Sequence, residues 1–264
     1  MDLGQHTRAM TDASLRGCLP AHVPLTVLPA GPLAELAARL LIQRIECSLS
    51  RQAYFLLAPS AGRTFAATYA VLCRRFATTI DWRRVVCVQM DEYAGLGCSD
   101  PRAFVWQLRT QLVEPLGMGR LLHFNDEQGQ LLKPLEAYEE QIRRLGGLDC
   151  VMHGVGCNSH VAFNEPAKRL ITRTRRVRLT TSTRAANAVE FRQGVTLGLD
   201  VLLAARSSIV ALQGSAKRAA AHHLLNGNVS AKHPVSYLRH APNLTVLLDP
   251  DACPASAREL QSTG

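Results

Sequence analysis

The sequence is poor in lysine, in aromatic side chains and in long apolar runs. Four of its 264 residues are lysine, and aromatic residues make up 5% of the chain. Its apolar runs fall far short of the ~20 residues that a membrane-spanning helix needs. The N-terminal segment MDLGQHTRAMTDASLRG also lacks the apolar centre of a secretory signal. We therefore expect a cytoplasmic protein that has no membrane partner.

Two common types of site are missing as well. The eight cysteines form no C-x-x-C pair, and several lie in apolar runs, which is typical of reduced core thiols rather than of disulfides or zinc ligands. The net charge is +9, but the densest basic stretch, KRLITRTRRVR at 168–178, contains no aromatic residue. Nucleic-acid sites combine basic clusters with stacking rings. We therefore favour a solvated surface or a site for a small anion, and predict no metal site and no nucleic-acid partner.

Short apolar runs alternate with helical patterns from residue 25 onward. With 47% hydrophobic residues the chain can bury a large core and needs no disulfides or metal ions for stability. The alternation predicts an α/β fold: a Rossmann-like, doubly wound, mostly parallel sheet with helices on both faces. We expect one domain over residues 21–264, preceded by a loosely ordered extension over residues 1–20. The main predicted strands are LTVLP (25–29), AYFLLA (53–58), VVCVQM (85–90), LDCVMHGVG (148–156), SIVALQG (208–214) and LTVLLD (244–249).

Polar clusters follow four of these strands. They are Ser60 to Thr64, Asp91-Glu92, Asn158 to Glu165, and Ser215 to Lys217. In parallel sheets, ligands bind beyond the carboxyl ends of the strands. The sequence therefore predicts a single crevice in which these clusters converge.

Three of the clusters carry recognisable chemistry. His160, with Glu165 five residues away, suits proton transfer near neutral pH. A partly desolvated carboxylate in MDEY (90–93) suits a base, and the turn Pro59 to Thr64 opens a helix whose N–H groups favour an anion such as phosphate. Each signal is weak alone, because acid pairs often cap helices and single loop histidines are usually inert.

Together the motifs resemble a family. GVGCNSHVAFNEP (154–166), MDEYAGL (90–96), the 59–64 turn, GVTLGL (194–199) and GSAK (214–217) occur in the order found in glucosamine-6-phosphate deaminases. The likeness runs from about residue 30 to 250. It implies a Rossmann-like enzyme that uses no metal or redox cofactor. Such an enzyme converts a hexosamine 6-phosphate, its small-molecule partner, to a ketose 6-phosphate plus ammonia, and a homo-oligomer is compatible with the family.

The resemblance also implies roles for individual residues. Asp91 would move the proton between C2 and C1, and His160 would assist ring opening, with Asn158 and Glu165 beside it. The substrate phosphate would be held by the turn and by a lysine: Ser60, Ala61, Gly62, Arg63, Thr64 and Lys217.

The sequence departs from the family pattern at several positions. Asn158 stands where the glucosamine enzymes have an aspartate, so it can orient the histidine but carries no charge. Where the family has a phosphate-binding arginine, this chain has Val189. Arg192 is the nearest arginine that could replace it, and Arg63 is a second source of positive charge.

Two further comparisons concern the substrate epimer and regulation. The Gly-x-Asn-x-His pattern and the segments GVTLGL and 229–238 look similar to the galactosamine-6-phosphate branch, which moves the expected substrate toward that epimer without settling it.

The residues of the activator site found in some deaminases are replaced by Lys168, Arg169 and Val177. We therefore expect hyperbolic kinetics with no activation by N-acetylhexosamine 6-phosphates.

Two other functions are compatible with parts of the pattern. A 6-phosphogluconolactonase or sugar-phosphate isomerase on the same fold would share the histidine loop, but it would need neither the FNEP ending nor the MDEY acids. A non-catalytic sugar-phosphate sensor would normally carry a helix-turn-helix before the domain, for which the N-terminus has no room. Asp91, His160 and Glu165 also argue against a sensor.

Overall fold

A computed structural model describes residue 20 and residues 22–254. The strands are β1 (Leu25–Val27), β2 (Phe55–Pro59), β3 (Val85–Val88), β4 (Asp91–Tyr93), β5 (Arg120–Leu122), β6 (Cys150–Gly154), β7 (Arg175–Arg178), β8 (Gln193–Thr196), β9 (Ser207–Leu212) and β10 (Leu244–Leu248). The α-helices are α1 (Ala30–Leu49), α2 (Ala66–Arg75), α3 (Phe104–Leu108), α4 (Glu114–Leu116), α5 (Leu135–Arg144), α6 (Thr181–Asn187), α7 (Leu199–Leu203) and α8 (Arg218–Leu225). A π-helical turn (Arg109–Val113) joins α3 to α4, and short 3-10 turns are formed by Trp82–Arg84, Ser215–Lys217 and Pro234–His240.

Seven strands form one parallel sheet in the order β1-β10-β9-β6-β2-β3-β5. Strands β2, β3, β9 and β10 are buried on both faces, as their continuous apolar sequences predict, and the edge strands β1 and β5 are partly exposed. Alternate residues of one strand enter different cores: Leu56 packs on the side of α5, α7 and α8, and Leu57 on the side of α1 and α2. The predicted doubly wound α/β fold with helices on both faces is therefore confirmed.

A second, three-stranded antiparallel sheet, in the order β4-β8-β7, was not anticipated from the sequence. This sheet connects the strand that bears Asp91 with the loop that follows β6. Asp91 of β4 pairs with Thr196 of β8, and the Thr196 hydroxyl accepts a hydrogen bond from the Phe163 backbone N–H at 3.1 Å. The small sheet thus holds the loop that follows β6 against the strand that bears Asp91. The end of the basic stretch 168–178 forms the edge strand β7 of this sheet.

The expected extension over residues 1–20 lies outside the described residues except for Pro20. Within residues 22–254, no helix is long and apolar enough to cross a membrane.

Candidate active site

One cavity of about 480 Å³ lies at the carboxyl ends of the central strands. It brings together most of the residues singled out from the sequence. Those that line it are Ser60, Ala61, Gly62, Arg63, Thr64, Asp91, His160 and Lys217. Asn158 and Glu165 lie behind His160 rather than in the lining. A slightly larger hollow beside Arg44, at the opposite strand ends, holds none of these groups.

The two neighbouring acids, Asp91 and Glu92, have different positions. Asp91 lines the cavity, and its burial together with the charge of Glu92 raises its pKa to about 8. Glu92 is fully buried and accepts hydrogen bonds from the backbone N–H groups of Phe104 (3.1 Å) and Val105 (2.9 Å) at the start of α3. It therefore anchors a helix, and of this pair only Asp91 faces the cavity.

The loop after β6 turns sharply at two glycines and at strained residues such as Ser159. A Cβ at Gly154 would lie 2.7 Å from the Ser60 hydroxyl, and one at Gly156 would overlap the His160 ring. Ser159 adopts a left-handed conformation with φ of 74°, which costs free energy for a residue that is not glycine. Its carbonyl is held by the backbone N–H of Val235 at 2.9 Å. The loop thereby presents the His160 ring to the cavity.

Hydrogen bonds behind His160 determine its orientation and tautomer. The Asn158 side chain donates from its amide nitrogen to Glu165 at 2.9 Å, so its oxygen faces His160 Nδ1 at 2.7 Å. Nδ1 therefore carries the proton in the neutral ring, and Nε2 is left basic. Burial, which outweighs the attraction of Glu165, lowers the pKa of His160, and the charge of Lys217 lowers it further. His160 is neutral at physiological pH and can accept a proton.

The turn at residues 60–64, between β2 and α2, offers backbone N–H groups to the same cavity, and we call it the phosphate turn after its expected role. Gly62 has a φ of 86°, a conformation in which glycine carries no steric penalty. Among the described residues, the N–H groups of Ala61, Arg63 and Thr64 have no hydrogen-bond partner. Lys217 reaches the cavity from the turn after β9, which Asp249 fixes by accepting from the Gly214 N–H at 2.8 Å.

Arg192 is the one predicted binding residue that the structure leaves away from the cavity. Its side chain is exposed, and its backbone carbonyl accepts from the Leu179 N–H. Val189 lines a second cavity of about 520 Å³ that shares a wall with the first, and Arg63 lies in that wall. Arg63 is therefore the better placed of the two arginines to compensate for Val189.

Several residues of the site were missed in the sequence. The hydroxyl of Thr183 lies 3.0 Å from His160 Nδ1, and Thr180 donates from both its N–H and its hydroxyl to Glu165. Phe104 and Asn187 line both cavities. One local signal was present: Thr180 caps α6 by accepting from the Thr183 N–H, a common arrangement at helix starts. Nothing in the sequence connected it to a histidine twenty residues earlier.

Comparison with known proteins agrees with this geometry. The sequence profile of the family described as glucosamine-6-phosphate isomerases/6-phosphogluconolactonase matches residues 30–247. The chain belongs to this family. Membership in the glucosamine-6-phosphate isomerase/6-phosphogluconolactonase family confirms the resemblance at that level, and the comparisons do not show the galactosamine branch.

Two relatives of this family are named glucosamine-6-phosphate deaminases. The one from Bacillus subtilis (strain 168) is 30% identical over 230 residues, which cover 83% of this chain and 93% of the relative. The one from Mycolicibacterium smegmatis (strain ATCC 700084 / mc(2)155) is 32% identical over 247 residues, covering 89% of this chain and 92% of the relative.

Solved structures in the family share the fold. A monomeric glucosamine-6-phosphate deaminase superposes with a TM-score of 0.76 at 25% identity, covering 86% of this chain and 98% of the other. A 6-phosphogluconolactonase from Trypanosoma brucei has a TM-score of 0.72 at 21% identity, covering 86% and 96%. The latter likeness concerns the fold alone.

Proposed function

We propose that the protein is an amino-sugar-phosphate deaminase and isomerase, which converts a hexosamine 6-phosphate and water to a ketose 6-phosphate and ammonia. The observation that carries the proposal is the joint presence of Asp91, His160, the phosphate turn and Lys217 in one cavity. The names of the relatives support it. Localisation in the cytoplasm, the absence of a cofactor and assembly into an oligomer remain predictions.

The geometry suggests a division of labour among the site residues. The C2 proton of the sugar is not acidic until the ring opens, so ring opening must come first. Neutral His160 accepts a proton at Nε2 and returns it during opening, while Glu165 and Asn158 hold the ring in place. Asp91 then removes the C2 proton and delivers it to C1, while O1 gains a proton and the amino nitrogen loses one. This gives a C2 imine that water hydrolyses to the ketone and ammonia. Binding of the distant phosphate places C1 and C2 next to these groups.

A substrate panel tests the proposal directly. Ammonia release is measured with glucosamine 6-phosphate and galactosamine 6-phosphate, because the named relatives support the first and the Asn158 loop resembles the branch that uses the second. Hydrolysis of 6-phosphogluconolactone is measured in parallel. Turnover of the lactone without ammonia release from either amino sugar would contradict the deaminase assignment and favour the lactonase, whose fold is shared.

The pH dependence of kcat/KM should reflect the ionisation of Asp91. Because its pKa is raised to about 8, most of the carboxyl is protonated at neutral pH in the free protein, and only the ionised fraction can act as a base. We expect kcat/KM to rise with pH and to reach half its maximum near pH 8. The cationic amino group of a bound amino sugar lowers the pKa of a neighbouring carboxyl. The rise of kcat with pH should therefore have its midpoint at a lower pH than the rise of kcat/KM. Cys157 also lines the cavity, so Cys157→Ser is the control and should leave both limbs in place.

Lys217→Ala should weaken binding of the phosphate. A charge-assisted contact is worth roughly 1.5–3 kcal/mol, so KM should rise about tenfold to a hundredfold. The matched control is Lys232→Ala, the same change at an exposed lysine outside the cavity lining, which should leave KM unaltered. An unchanged KM in Lys217→Ala, or equal turnover of the unphosphorylated amino sugar, would remove Lys217 from the phosphate site.

A further inference from the structure

One backbone N–H of the phosphate turn is already occupied by a side chain from another element. The N–H of Gly62 donates to the side-chain oxygen of Gln107 at 3.1 Å. Gln107 belongs to α3, and its amide nitrogen has no partner among the described residues. The side chain is half-buried in the wall of the second cavity, to which Gly62 also contributes.

This contact competes with an incoming phosphate. A phosphate dianion has only acceptor oxygens, so it would compete with Gln107 for the Gly62 N–H, and an amide oxygen facing it would repel it. A glutamine side chain has both an acceptor and a donor end. Rotation of the terminal amide would release the Gly62 N–H and turn the free NH₂ group toward the phosphate.

Hydrogen bonds hold the backbone at Gln107 in place, so a phosphate would be accommodated by rotation of the Gln107 side chain. Glu92 accepts from the N–H groups of Phe104 and Val105, and the Gln107 N–H donates to the Ala103 carbonyl at 3.2 Å. One helical turn thus separates Gln107 from the residues anchored to the strand that bears Asp91.

We propose that Gln107 is a further phosphate-binding residue, which covers the Gly62 N–H in the free protein and donates its side-chain amide to the substrate phosphate in the complex. This inference rests on the proposed function of the 60–64 turn and adds a residue from a different helix to it. The sequence motifs did not include this residue.

The test compares two glutamines of the same helical segment. Both line the second cavity, but Gln111 is exposed and does not contact the Gly62 N–H. Gln107→Glu places an acceptor-only, negatively charged group on the Gly62 N–H, so KM for hexosamine 6-phosphate and the inhibition constant of inorganic phosphate should both rise by about thirtyfold or more. The same charge at Gln111→Glu should raise them less than about threefold because of distance and screening. In Gln111→Glu, kcat should stay within about threefold of wild type.

Gln107→Leu is the second variant, which introduces no charge. It frees the Gly62 N–H but removes the donor. KM should rise about three- to tenfold, because the freed N–H offsets part of the roughly tenfold or greater loss of one hydrogen bond to a charged group. Equal effects of Gln107→Glu and Gln111→Glu would show general repulsion and overturn the inference, as would an unchanged or lower KM in Gln107→Leu. These results are distinct from failure of the proposed function, in which wild type would bind no phosphate and Lys217→Ala would have no effect.

Discussion

Replacement of Asp91 by asparagine is expected to abolish both exchange of the substrate C2 proton with solvent and release of ammonia. Asp91 is the only carboxylic acid among the described residues that line the cavity, so no neighbouring acid can take over. We expect turnover to fall by about 10⁴-fold, the upper end of the range for loss of a general base. Proton exchange is followed by NMR in deuterated buffer, and ammonia by a coupled assay.

The loss should not come from unfolding. The pKa of Asp91 is raised in the folded protein, so ionisation of this carboxyl lowers the free energy of unfolding as pH rises from the unfolded value, near 3.9, to about 8. An asparagine is neutral throughout, and Asp91→Asn should be at least as stable as wild type, with the advantage growing with pH over that range. Asp100→Asn, at an acid that pairs with Arg102 outside the cavity, is the matched control and should retain activity. Wild-type proton exchange in Asp91→Asn would refute the mechanism.

His160→Gln should slow turnover by roughly 10²–10⁴-fold, as expected for loss of a general acid–base group. The amide of glutamine cannot accept and return a proton at the position of Nε2. A substrate analogue fixed in the open-chain form should recover most of this loss, because it bypasses ring opening. Turnover of both substrates is compared in the two proteins. Equal loss with the open-chain analogue would place His160 in a later step.

A second substitution separates proton transfer from a structural role. His160→Asn can keep an N–H directed at the Asn158 oxygen, now 2.7 Å from Nδ1, but has nothing in place of Nε2. If His160 transfers protons, this variant is as slow as His160→Gln. If the histidine only supports the loop, it is close to wild type.

Asn158→Asp tests the effect of a negative charge beside His160. The new carboxyl would face Glu165 across the 2.9 Å that the Asn158 amide now spans, so the two acids would share a proton over part of the pH range. Once both ionise, a full negative charge lies against His160 and raises its pKa. We expect a titrating limb in kcat that the wild-type profile lacks; superimposable profiles would show that this position does not tune His160.

The large sheet and the position of the site could be predicted from the sequence. Parallel strands covered on both faces read as continuous apolar runs such as VVCVQM and LTVLLD, and each was followed by a glycine, a polar turn or a helical pattern. The polar clusters then had to meet, because the carboxyl ends of parallel strands share one edge. Asp91, His160 and Lys217 line one cavity for that reason.

The antiparallel sheet could not be predicted in the same way. Its strands are three or four residues long, and DEY and RRVR carry too little apolar alternation to identify a strand. Their pairing depends on contacts between segments about a hundred residues apart, such as Asp91 with Thr196. Only the folded chain shows that this sheet joins Asp91 to the histidine loop.

The sequence by itself therefore determined the fold class, the family and the edge of the sheet at which the reactive groups meet, because burial periodicity and short motifs are local properties of the chain. The tertiary structure decided which member of the acid pair faces the cavity, how Asn158 is oriented between Glu165 and His160, and which side chain covers the Gly62 N–H. Those outcomes depend on the direction of individual hydrogen bonds between distant segments. No local pattern encodes that direction until packing brings the donors and acceptors together.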